Sequence, residues 1–167
     1  FINKVDRLIK ELKLTPEQMQ ERFLNIITKV NDFISANAPD DLKGKWKLNV
    51  QDGSVAFGSG FHKWALSVPY MQKSGITFKD VIDAYQGEEE AYKELSKKAP
   101  AYKVILNQII EHLPNPKEAQ VYRIPQIWHG EKDSDIGKNL IECDPKGEPA
   151  FIVIKIVIDP HAGEIAA

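Results

Sequence analysis

Asn3, Lys4 and Asp6 stand together near the start of the chain, in the stretch Phe1-Ile2-Asn3-Lys4-Val5-Asp6. An apolar strand end that passes directly into Asn-Lys-x-Asp is suited to reading a guanine base. Guanine differs from adenine in presenting a ring N–H and an exocyclic NH₂ side by side, with a carbonyl oxygen next to them. An ionised Asp6 has two acceptor oxygens and takes both donors at once. Adenine offers no such donor pair, so the carboxylate facing it would be left without partners, which is a strong basis for rejection. Asn3 has both donor and acceptor, so it can meet a ring nitrogen of the base and also tie neighbouring loops together. Lys4 contributes its four-carbon stem, which can lie along the flat face of a base. The bland alternative is a strand-to-helix loop in which Asn3 or Asp6 only caps the following helix.

The carbonyl oxygen of such a base needs a donor that approaches in the ring plane, and backbone N–H groups do this where the chain comes close. Gly58-Ser59-Gly60 follows the short apolar strand Val55–Phe57 and offers small residues, free dihedrals and an exposed turn. Ser59 and Gly60 therefore join Asn3, Lys4 and Asp6 as candidate base readers. Two strand ends joined by a helix, each carrying one half of the set, fit a parallel α/β sheet with ligand at its carboxyl edge. The tetrapeptide alone is a weak signal; the strand before it and the glycine turn add specificity.

The elements that must position these residues are legible in the apolar spacing. Leu8, Ile9 and Leu12 give Asp6–Leu14 a short helical face. Thr15-Pro16-Glu17-Gln18 starts a long amphipathic helix over Pro16–Ala36, with Thr15 as cap and Gln18 closing a capping box. Trp46, Leu48 and Val50 alternate before Asp52-Gly53, which predicts strand, turn and strand ending at Gly58. Thr77 caps a helix running to about Tyr85, and Glu88, Glu89 and Glu90 open the next at the positive end of its dipole. Pro100 starts a further helix with Val104, Ile105, Ile109, Ile110 and Leu113 expected on its inner side, stopped by Pro114 and Pro116. Residues 114–149 hold five prolines and read as a connector, and the β-branched run Phe151–Ile158 reads as a strand before the turn Asp159–Gly163.

Composition narrows the class. The chain has 167 residues, 43% of them hydrophobic, enough apolar material for a real core. A formal net charge of -2 gives no reason to expect a polyanion partner, and Cys143 as the one cysteine excludes an internal disulfide. The longest apolar run, Ala150–Ile158, is broken by Lys155 and is short of a membrane span, so a cytoplasmic protein without a membrane partner is expected. His62, His112, His129 and His161 are scattered, and no metal site is read from them. The chain opens on Phe rather than Met and closes inside a strand, so it is expected to be a piece of something longer.

Four longer stretches carry a resemblance: FINKVDRLIKELKLTPEQM, DGSVAFGSGFHKWALSVP, IIEHLPNPKEAQVYRIPQIW and NLIECDPKGEPAFIVIKIVIDPHAGEIA. Together they resemble archaeal elongation factor 2, the translocation GTPase family, in the family's order and over essentially the whole chain. The resemblance implies an α/β fold: the C-terminal part of a P-loop-type GTPase domain over 1–113, with a reduced family insert at about 68–99. A proline-rich connector over 114–149 and the first strands of an antiparallel β-barrel, domain II, over 150–167 would follow. Asn3, Lys4 and Asp6 would be the guanine-specificity motif, and Ser59 with Gly60 the motif whose backbone faces the guanine oxygen. The implied ligands are GTP and GDP, with Mg²⁺ held by residues outside the chain. The implied partners are the ribosome, with its stalk proteins and rRNA, and the implied state is a monomer. An apolar groove near 68–113 would touch the stalk.

The family's phosphate loop, switch regions and catalytic His lie upstream of the matching stretch, and no G-x-x-x-x-G-K-[ST] occurs here. No catalytic residue is therefore assigned, and this stretch alone is expected to read guanine weakly and to leave GTP unhydrolysed. Two other readings stay open: a non-hydrolysing ribosome-binding or interaction module, and another translational GTPase such as an initiation or release factor. HLPNPKEAQVYR and CDPKG speak against the last.

Overall fold

The structure, a computed structural model, describes residues 1–150, 153 and 155–166. They form two units, Phe1–Leu113 and Pro114–Ala167.

The first unit is built on a small mixed sheet. Strand β1 (Ala56–Ser59) runs antiparallel to β2 (Trp64–Ser67), with Ala56 opposite Ser67 and Ser59 opposite Trp64. Ile2 bridges to Phe57 in parallel, its N–H donating to Ala56 O at 2.8 Å and its carbonyl accepting from Gly58 N at 3.0 Å. On the other side of β2, Ala65 N donates to Ala99 O and Ala101 N to Lys63 O, each at 3.0 Å. Helices α1 (Val5–Lys10), α5 (Phe78–Gln86) and α6 (Glu89–Lys98) pack over this sheet. Their shared core is Val5, Trp64, Leu66, Val81, Tyr85, Leu95 and Ala99.

Helix α2 (Pro16–Asn37) starts as its sequence predicts. Thr15 Oγ1 accepts from Gln18 N at 3.3 Å and Gln18 Oε1 from Thr15 N at 2.9 Å, so two amides that the helix cannot satisfy internally are paired. The same reciprocal arrangement of Thr77 and Asp80 starts α5. Phe23 of α2 stacks on Phe57 at 5.4 Å between ring centres, and Phe78 meets both rings edge-on.

Several expectations are corrected. The alternation of Trp46, Leu48 and Val50 makes no strand: Trp46 ends helix α3 (Asp40–Trp46), and the chain then turns. Side chains take the place of a ladder there. Asn31 clamps Leu48 at both its N–H (2.8 Å) and its carbonyl (3.1 Å), and Ser54 Oγ does the same for Asn49. The exposed turn expected at Gly58-Ser59-Gly60 is displaced along the chain. Gly58 and Ser59 belong to β1 and are buried, and the turn is 60–63. Helix α7 (Ala101–His112), which follows α4 (Val68–Ser74) and the α5–α6 pair, faces the core through Val104 beside Ala56 and Ala65. Ile109, Ile110 and Leu113, expected inside, are 46, 78 and 62% exposed. The inner stripe is 101, 104, 105 and 108, where Gln108 Nε2 reaches Gly53 O at 3.1 Å.

In the second unit, the stretch expected as a connector holds two helices, α8 (Pro116–Ile127) and α9 (Asp135–Glu142), packed on each other. Pro125 lies inside α8, where it removes one backbone hydrogen bond. Strands β3 (Ile156–Asp159) and β4 (Gly163–Ala166) form an antiparallel hairpin whose turn is closed by Asp159 Oδ1 accepting from His161 N and Ala162 N. Phe151, Ile152 and Ile154 of the expected strand lie outside the described residues. Among the described residues, no helix is long and apolar enough to cross a membrane.

Candidate guanine-reading site

The two halves of the expected site meet because of the parallel bridge at Ile2. With both backbone groups of Ile2 bonded to β1, Asn3 emerges beside the end of that strand. Asn3 Oδ1 accepts from Lys4 N at 2.8 Å and from Gly60 N at 2.9 Å, across 57 residues of sequence. A carbonyl oxygen with two lone pairs is thereby filled, and the Asn3 NH₂ group is left for a further partner. Lys4 takes the left-handed conformation (φ 68°, ψ 32°) just before α1, a strained geometry that persists where its surroundings enforce it. Val5, fully buried in the core, is one such anchor. No side chain caps α1, so the Asn3 carboxamide serves the turn rather than the helix end. Asp6 sits half-buried in the first turn of α1, where the helix dipole favours its charge.

Ser59 is fully buried, and its hydroxyl accepts from His62 N at 3.1 Å, folding the turn 60–63 back on itself. Gly60 is exposed, and a methyl group there would meet Asn3 Oδ1 at 3.4 Å, an ordinary contact. Gly58 is different: a Cβ would stand 2.2 Å from Trp64 O and 2.8 Å from Ala65 Cα, so the close approach of β1 to β2 requires glycine. Phe61, next to Gly60, is 83% exposed. Asn3, Lys4 and Gly60 are thus joined by hydrogen bonds, Ser59 lies directly beneath, and Asp6 stands one step along α1.

Tyr85, His62, Trp64, Tyr92 and Lys10 complete the setting. The Tyr85 hydroxyl accepts from Trp64 Nε1 at 2.7 Å and lies 2.7 Å from His62 Nδ1. His62 packs against the ring of Tyr92 at 4.3 Å, and Lys10 Nζ sits 4.6 Å from the centre of the same ring. Burial pushes the Tyr85 phenol up to about 12, against the hydrogen bond from Trp64 that holds it down, with the charge of Asp6 adding to the rise. Burial likewise lowers the His62 imidazole, partly offset by the nearby charge of Asp6. Both therefore stay neutral near pH 7 in the fold. Tyr85 lies 23 residues beyond His62, and no local pattern connects them. No group of three or more His, Cys, Asp or Glu among the described residues is placed to hold a metal ion.

No family model matches the chain. Curated relatives do. Elongation factor 2 of Methanococcus aeolicus is 58% identical over all of this chain and 23% of its own length. Elongation factor 2 of Thermococcus kodakarensis is 57% identical over 99% of this chain and 22% of its own. Over essentially its whole length the chain is similar to one segment of archaeal elongation factor 2. Elongation factor 2 of Methanocaldococcus jannaschii repeats the match at 54% identity over 99% of the chain. The resemblance carried by the four quoted stretches is therefore borne out, and the chain spans less than a quarter of the length of these elongation factor 2 relatives.

Proposed function

We propose that this chain supplies the guanine-reading part of a translation elongation factor that binds GTP and GDP and drives ribosomal translocation. The observation that carries the reading is the bond from Gly60 N to Asn3 Oδ1, which brings two distant sequence signals to one sheet edge. In this reading the Asp6 carboxylate accepts the ring N–H and the exocyclic NH₂ of guanine together. The Asn3 NH₂ group, left over from its ties to Lys4 and Gly60, donates to the ring nitrogen beyond the carbonyl. The Lys4 stem lies along one face of the base, and backbone N–H groups of the turn after Ser59 face the carbonyl oxygen. Unit Phe1–Leu113 is the C-terminal part of a P-loop-type GTPase domain, and the β3–β4 hairpin opens a β-barrel.

Hydrolysis of GTP belongs to the whole factor. Phosphate binding dominates the grip on such a nucleotide, and the Mg²⁺ that accompanies it would be held by residues outside this chain. The partners of the whole factor are the ribosome, its stalk proteins and rRNA, and it works as a cytoplasmic monomer.

The test is Asp6→Asn in a full-length factor carrying this stretch. The amide presents a donor to the base in place of one acceptor, so xanthosine diphosphate, whose edge offers a carbonyl where guanine has NH₂, gains and GDP loses. The GDP-over-XDP preference is expected to fall by at least about a hundredfold, as for sites built on a hydrogen-bonded group. An unchanged preference would refute the role of Asp6.

A further inference from the structure

One phenol bonds to two residues at the turn 60–63. Trp64, just after the turn, donates to the Tyr85 hydroxyl, and His62, within it, lies 2.7 Å from the same oxygen. The same His62 donates its backbone N–H to the hydroxyl of Ser59, just before the turn. A phenol has one proton and two lone pairs, and these two partners fill two of its three places. The turn is also tied at Gly60 to Asn3 and at Lys63 to Ala101, while Phe61 is mostly exposed. Tyr85 itself is anchored in α5, within the shared core. Packing alone would accept a Phe at this position; the hydroxyl is desolvated, and only the bonds to the turn offset that cost.

We propose that Tyr85 is a positioning residue for the guanine-reading turn, its hydroxyl setting where the backbone of 60–63 stands relative to the carbonyl oxygen of the base. This rests on the guanine-reading function proposed above. Tyr85 touches no ligand. It acts through His62 and Trp64, and so governs the contact to the carbonyl oxygen while leaving the contact of Asp6 to the donor pair alone.

Three nucleotides separate these contacts in a full-length factor carrying this stretch. GDP has both the carbonyl oxygen and the donor pair; inosine diphosphate keeps the carbonyl and the ring N–H and lacks the exocyclic amine; the diphosphate of 2-aminopurine riboside keeps the amine and lacks the carbonyl and, with it, the ring N–H. Competition against a fluorescent GDP gives all three affinities. Tyr85→Phe is expected to weaken GDP and inosine diphosphate together by about five- to tenfold, the worth of one or two misplaced hydrogen bonds, and to leave the 2-aminopurine nucleotide unchanged. His62→Ala removes the handle on the phenol from the turn side and gives the same pattern, which decides the matter should Tyr85→Phe fold poorly. Equal weakening of all three nucleotides, or of none, overturns the proposal. Asp6→Asn run in parallel separates the two failures. If it shifts the GDP-over-XDP preference while Tyr85→Phe does nothing, only the role of Tyr85 falls; if it shifts nothing, the guanine reading falls with it.

Discussion

The glycines at 58 and 60, on either side of Ser59, look equivalent in the sequence and differ in the structure. A methyl group at 58 would run into the backbone of Trp64 and Ala65, which cannot yield without parting β1 from β2. Gly58→Ala is expected to destabilise the first unit by about 2 kcal/mol or more, the upper part of the usual cost of overpacking, read by urea unfolding with Trp64 fluorescence. Gly60→Ala meets only the Asn3 side chain at ordinary contact distance and is expected to leave the midpoint within about 0.5 kcal/mol. The candidate residues that the fold brings together could be named from local pattern: Asn3, Lys4 and Asp6 follow an apolar pair, and Ser59 and Gly60 end an apolar run. The supporting residues were not. Tyr85 in a helical stripe announces only a core position, and its two polar partners are fixed by tertiary contacts that no short window contains.

Among the elements, helix starts were read well and faces less so. The capping boxes at Thr15 and Thr77 are four-residue devices, complete within the sequence that encodes them. Thr15→Ala is expected to cost about 1 kcal/mol, with helical content lost from the start of α2 in hydrogen exchange first. Leu48 and Val50 misled because alternation over so few residues is also what a side-chain-clamped loop shows, and the clamp comes from Asn31 on another element. In α7 the apolar residues outnumber the positions that face the core. Periodicity shows that a helix has an apolar stripe, and the partner decides which stripe is used; here Ala56 and Ala65 select Val104 and leave Ile110 outside. The pair α8 and α9 was hidden by prolines read as breakers, although Pro116 stands at a helix start where proline is tolerated.

At the scale of the molecule, large apolar side chains remain on the surface of both units, among them Phe33, Ile110 and Leu113 in the first and Ile158 in the second. Exposed apolar surface beyond scattered single residues promotes association. The 167-residue chain prepared by itself is expected to self-associate with rising concentration in sedimentation velocity, and Ile110→Lys with Leu113→Lys is expected to shift that onset upward by about threefold or more, a shift of about 0.6 kcal/mol or more. Sedimentation unchanged by the double substitution would show that α7 takes no part. The bond between Gly60 and Asn3 also has a consequence in time. Chain synthesis delivers Asn3 first, and its partner arrives 57 residues later. Until then the Asn-Lys-x-Asp segment is a set of side chains without a frame, because the amide that holds Asn3 and the strand that holds Ile2 do not yet exist. Closing that interval costs chain entropy before any contact repays it. Under the guanine reading proposed above, a nascent chain therefore gains the ability to discriminate bases abruptly, as β1 docks, and not gradually as the polypeptide lengthens.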